Sequence, residues 1–104
     1  NLGEIYLFEK EYQKALDYYF KGLSIDQKQN NKVNLAGDYN MIGELYLEMD
    51  DLLKAEKYFY QSTYLAEEIN SLPDLANANY NLGLVYKKQD RKNMAREYMR
   101  KGDL

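Results

Sequence analysis

Apolar residues along this chain recur at spacings of three and four, in two alternating kinds of segment. Leu2, Ile5 and Tyr6, then Ile42, Leu45 and Tyr46, then Leu82, Val85 and Tyr86 form one kind; Ala55, Tyr58, Phe59 and Ser62 typify the other. That spacing gathers apolar side chains on one side of an α-helix. The polar breaks Lys10-Glu11, Asp50-Asp51 and Asp90-Arg91 are short enough only for a tight turn between antiparallel helices. Longer junctions fall at Gln29 to Lys32 and at Asn70 to Pro73. In the second, Ser71 followed by Asp74 predicts an N-cap with a partial capping box, and Pro73 fits a first helical turn, where a missing N–H costs little. The pattern predicts helices over residues 1–9, 12–29, 32–49, 52–70, 72–89 and 92–102, and no strands.

The two kinds of segment repeat as a unit. Gly3, Gly43 and Gly83 align at a spacing of 40, as do Tyr6, Tyr46 and Tyr86, Ala15, Ala55 and Ala95, and Tyr18, Tyr58 and Tyr98. Each unit reads as a helical hairpin, with repeats at 1–31, 32–71 and 72–104. Glycine inside a helix costs roughly 1 kcal/mol relative to alanine, so its recurrence asks for a compensating close approach. Gly3, Gly43 and Gly83 are expected to face the alanine column, with the bulky column Tyr19, Phe59 and Met99 beside the crossing. The Tyr6 and Tyr18 columns are expected in the core, and the small column Gly22, Ser62 and Gly102 is expected to let the next hairpin dock.

This arrangement resembles the tetratricopeptide repeat family. The stretch Asn79-Tyr80-Asn81-Leu82-Gly83-Leu84-Val85-Tyr86 is close to that family's aliphatic-glycine pair followed by an aromatic. The spacing of 40 departs from the family's usual ~34 and looks like the longer-helix branch found in bacterial peptide-sensing regulators, sensor kinases and polarity adaptors. Repeat 3 also departs at Asn79, where repeat 2 has Tyr39. The resemblance implies an all-α fold of antiparallel helical hairpins stacked as a right-handed superhelix, an α-solenoid of about two and a half repeats. The reading is of a single repeat domain over residues 1–104, a piece of a longer array.

The same resemblance implies binding of a protein or peptide on the concave face, lined by the first helix of each hairpin. Residue by residue, the expected ligand-binding positions are Glu4, Leu7 and Phe8 in repeat 1, with Asn1 beside them. Repeat 2 contributes Asn40, Met41, Glu44, Leu47 and Glu48, and repeat 3 contributes Asn77, Tyr80, Asn81, Leu84, Lys87 and Lys88. These positions lie off the glycine–tyrosine stripe, and an amide such as Asn81 suits the backbone of an extended peptide. Glu4, Glu44 and Glu48 are expected to make one end of the groove acidic, and Lys87 and Lys88 to make the other basic. Of the twelve tyrosines, only Tyr80 combines exposure with a place on these helices.

Composition narrows the alternatives. The chain has no histidine and no cysteine, which removes the commonest general base, the thiol nucleophile, thiolate metal sites and histidine-dependent serine triads. Asp50-Asp51 and Glu67-Glu68 are sequence neighbours, and neighbours on a helix point about 100° apart rather than at one substrate atom. The chain is therefore expected not to be an enzyme and to need no cofactor or metal. Seventeen acidic and fourteen basic residues give a net charge of −3 with no basic cluster, so nucleic acid is not an expected partner of this segment. No apolar run approaches the ~20 residues of a membrane span, and a cytoplasmic location without membrane contact is the expectation. Open repeat ends offer a route to self-association.

Overall fold

A computed structural model describes the backbone of residues 2–102 and the side chains of residues 11–102. Within them the chain forms α1 (Leu2–Lys28), α2 (Lys32–Glu48), α3 (Leu52–Glu68), α4 (Leu72–Lys88) and α5 (Lys92–Gly102), with no strand. Helices α2 and α3 pair as one hairpin and α4 and α5 as another, while α3 packs on α4 and α1 packs on α2. The first helices of the two hairpins, α2 and α4, also approach each other directly and so share a face.

Local chemistry sets the ends of these helices. Asn30, Asp50, Asn70 and Asp90 all adopt left-handed backbone angles, with φ of 51°, 63°, 57° and 60°. Asparagine and aspartate tolerate this region better than other side chains that carry a Cβ. Each closes the preceding helix in the same way: Asp50 N–H donates to Leu47 O at 3.0 Å and Asp51 N–H to Tyr46 O at 2.9 Å. At two of the four junctions the following residue then caps the next helix. Asn31 Oδ1 accepts from Asn34 N at 3.2 Å, and Asp51 Oδ1 accepts from Lys54 N at 3.3 Å. Ser71 departs from the predicted capping box, because its hydroxyl donates to Asp74 Oδ2 at 2.8 Å rather than capping the backbone.

The predicted break at Lys10-Glu11 is absent, and helix runs unbroken through it. The expected helices 1–9 and 12–29 are therefore one helix, and the first repeat is not a hairpin here. The reason lies in the residue types. Lys10 stands where Asp50 and Asp90 turn the chain, and Glu11 stands where Asp51 caps. Neither supplies the left-handed tolerance or the short capping side chain, so continued helix is favoured.

Close packing inside each hairpin follows the glycine column, with one change from expectation. A Cβ on Gly43 would lie 2.6 Å from Cε1 of Phe59, and one on Gly83 would lie 2.5 Å from Cγ of Met99 and 3.1 Å from the Ala95 carbonyl. The glycine thus makes room for the bulky column itself, and at Gly43 it is a ring, not an alanine methyl, that fills the space. Phe59, Ile42, Leu82, Val85 and Tyr86 are the large side chains at the centre of the core.

Two columns behave differently from their prediction. Ser62 is fully buried and donates to Ala36 O at 2.8 Å, and a Cβ on Gly102 would meet Ala76 O at 2.9 Å. Ser62 and Gly102 therefore close α3 and α5 onto their own hairpin partners rather than admitting the next hairpin, whereas a Cβ on Gly22 of α1 would meet nothing within 4 Å. Tyr58 stacks on Tyr46 at 5.6 Å and Tyr98 lies 5.3 Å from Tyr86, whereas Tyr18 is 75% exposed. Its counterpart partner, Tyr6, is twelve residues away on the same continuous helix, ~18 Å along the axis. Continuity of α1 is what exposes Tyr18.

Candidate functional site

The face shared by α2 and α4 brings together most of the expected binding positions. Its centre is a three-residue amide and carboxylate network. Asn81 Nδ2 donates to Asn40 Oδ1 and to Glu44 Oε1, each at 3.1 Å, and Asn40 Nδ2 donates to Glu44 Oε1 at 3.4 Å. Asn81 directly precedes the buried Leu82 on α4 and Asn40 lies two positions before the buried Ile42 on α2, and the two amides meet across the groove. Asn81 is only 8% exposed, and Glu44 fixes its orientation. Glu44 is thus partly committed to the protein rather than wholly free for a ligand.

One turn further along, Leu47, Glu48, Leu84, Lys87 and Lys88 line a shallow depression of ≈ 560 Å³. Glu48 and the two lysines belong to one depression, so the charges do not divide into acidic and basic ends as the sequence suggests. The reason is geometric: α2 and α4 share this face, and Glu48 and Lys88 both end their helices. Leu47 is 9% exposed, packed in the core with only an edge in the depression, which corrects its assignment as a freely accessible contact. Of the expected binding positions, the large hydrophobics Met41 at 43% and Tyr80 at 46% exposure are offered to solvent, and Asn77 is exposed as well. Glu4, Leu7, Phe8 and Asn1 lie outside the residues whose side chains are described.

Two polar clusters escaped the sequence reading. Asp38 of α2 has an Oδ2 that is buried without a hydrogen-bond partner. Burial first, then the neighbouring Asp26 carboxyl of α1, raises its pKa from 3.8 to about 7. The signal was available, because the equivalent position 40 residues on is the fully buried Ala78. The second cluster joins three phenols. Tyr60 bonds Tyr86 and Tyr98, the latter at 3.1 Å, and Tyr98 is pushed up to about 12, chiefly by the Tyr60 hydrogen bond and then by burial.

Comparison with known proteins bears on this architecture. A tetratricopeptide repeat model matches residues 35–102, and a second tetratricopeptide repeat model matches residues 1–29. The chain belongs to the tetratricopeptide repeat family. Its hairpins α2/α3 and α4/α5 are tetratricopeptide hairpins, so the whole is an all-α, solenoid-like protein-interaction fold. Among solved structures the apo form of RapI is similar to it, with a TM-score of 0.79 and 29% identity over 92% of this chain. The match covers 26% of RapI, so this chain spans about a quarter of that protein's length. A comparison with curated proteins returned no match. Among the described residues, no helix of the tetratricopeptide array is long and apolar enough to cross a membrane.

Proposed function

We propose that this chain is a peptide- or protein-binding tetratricopeptide module, one segment of a longer array, whose ligand lies along the face shared by α2 and α4. The observation that carries the reading is the Asn40–Glu44–Asn81 network. Both Nδ2 protons of Asn81 are used within the protein, which leaves its Oδ1 as the acceptor for a ligand N–H. A side chain held in place by its neighbours loses little freedom on binding, so such a hydrogen bond is worth more than one from a mobile surface amide. The adjoining depression adds apolar contact from Leu84 and charge from Glu48, Lys87 and Lys88.

A second reading makes the chain the sensor segment of a bacterial peptide-responsive regulator. The likeness to RapI favours it, since that structure is described as an apo form and so implies a liganded counterpart. Both readings put the ligand in the same groove. Peptides selected from a random library on the immobilised chain test them. Asn81→Ala is expected to weaken the selected peptides by roughly tenfold, and Tyr64→Ala to leave them unchanged. Peptides indifferent to Asn81, Met41 and Tyr80 substitutions would place the binding surface elsewhere.

A further inference from the structure

A cavity of ≈ 360 Å³ opens between α3, α4 and α5, and it shares no residue with the α2–α4 groove. Its lining includes Glu67 of α3, Leu75, Ala76 and Asn79 of α4, and Tyr98 of α5. The preceding repeat shows what occupies the equivalent place. Forty residues earlier stand Gln27, Leu35, Ala36, Tyr39 and Tyr58. There the Tyr39 ring stacks on Tyr58 at 6.1 Å with a 25° interplanar angle, and its hydroxyl accepts from Gln27 Nε2 at 3.2 Å. The aromatic and small apolar neighbours of that ring are repeated at the cavity. Tyr60 meets Tyr98 edge-on at 6.2 Å as Phe20 meets Tyr58 at 6.0 Å, and Leu75 and Ala76 repeat Leu35 and Ala36. The ring is replaced by Asn79, a buried amide at 8% exposure that lines the cavity, and Thr63, Glu67, Leu72 and Lys101 stand where the preceding repeat has Leu23, Gln27, Lys32 and Gln61.

We propose that this notch binds a phenolic ring, free in solution or carried on a tyrosine side chain. Tyr98 presents the ring that Tyr58 presents to Tyr39, with the Lys101 ammonium, which also lines the notch, 4.5 Å from its centroid and displaced as a ligand ring enters; offset or stacked aromatic pairs are favourable beyond the area they bury. Leu75 and Ala76 form an apolar floor. Glu67 replaces Gln27, so the polar partner changes from an amide donor to a carboxylate acceptor. A phenol hydroxyl would therefore donate to Glu67 where Tyr39 accepts from Gln27. The site selects a phenol over a plain benzene ring for this reason, since the carboxylate finds a donor only in the former.

Amide NMR of the intact chain tests the proposal with p-cresol, N-acetyl-tyrosinamide and N-acetyl-phenylalaninamide as probes. Both phenols are expected to give saturable shifts at Asn79, Glu67 and Leu75, with Glu44 and Asn81 unmoved, and the phenylalanine probe to bind roughly tenfold more weakly. Tighter binding of the tyrosine derivative than of p-cresol would identify a tyrosine side chain as the source, and the reverse a free phenol. Asn79→Tyr, which fills the notch from within, should abolish the shifts. Glu67→Ala, at an exposed position, should keep the fold and equalise the tyrosine and phenylalanine probes. Absence of saturable shifts up to about 10 mM probe, or shifts that survive in Asn79→Tyr, would overturn the assignment. Neither outcome touches the α2–α4 groove, which its own peptides test separately.

Discussion

At the scale of single residues, Gly43 and Asp38 concentrate the tightest constraints. Phe59 is fully buried and its ring sits where a Gly43 side chain would begin, so even a methyl group forces the ring against other core atoms. Gly43→Ala is expected to lower stability by about 1–3 kcal/mol in urea melts, although alanine is the better helix former. Pairing it with Phe59→Leu should recover part of that loss, a non-additivity that a double-mutant cycle reads directly. Asp38 acts through protonation. Its folded pKa of about 7 lies above the ordinary 3.8, so the folded state holds the proton more tightly than the unfolded chain does. Its contribution to stability is complete below pH 4 and is lost as pH rises towards 7. Asp38→Asn supplies an amide donor beside Asp26 and removes the titration. The unfolding free energy from urea melts should then gain about 1–2 kcal/mol at pH 8 and lose much of its slope between pH 4 and 7.

Among the helices, α1 shows how local and distant signals part company. The aligned columns of Gly3 and Tyr6 with Ala15 and Tyr18 argue for a hairpin, whereas Lys10 and Glu11 lack the residues that turn the chain at every other junction. Lys10→Asp with Glu11→Asp copies the Asp50-Asp51 junction into α1. The double variant is expected to break the helix there and let residues 2–9 cover Tyr18. Since the chain has no native cysteine, a Tyr18→Cys probe in either background reads the change as a several-fold drop in thiol labelling rate. The later helices were legible within about two residues because short polar junctions, stripe periodicity and capping residues all act over a few positions. Leu47 and Asn81 were harder to place. Periodicity within one hairpin left them on an open face, and the packing of α2 on α4, a contact between repeats, is what buries them. Asn79 departs from Tyr39 in sequence, but whether its place stays open is decided by how three helices pack around it.

Across the whole molecule, two surfaces divide the recognition chemistry between them. The α2–α4 face presents amides, carboxylate and lysines suited to an extended chain, and the notch beneath α3 and α5 presents an aromatic wall suited to one ring. Regular dimensions hold both in place. Helices α2, α3 and α4 are each 17 residues long, and the left-handed residues of the junctions fall at 30, 50, 70 and 90. Such regularity makes chain length a quantised property. Deleting one exposed residue, such as Lys57, turns everything after it by about 100° and pulls Phe59 away from Gly43, so cooperative thermal unfolding should be lost. Duplicating residues 32–71 keeps every column in phase and should raise the melting temperature, as nearest-neighbour stacking predicts. Variation that lengthens or shortens this array is thereby filtered by arithmetic before it is ever filtered by affinity: whole hairpins can be gained or lost, and single residues cannot.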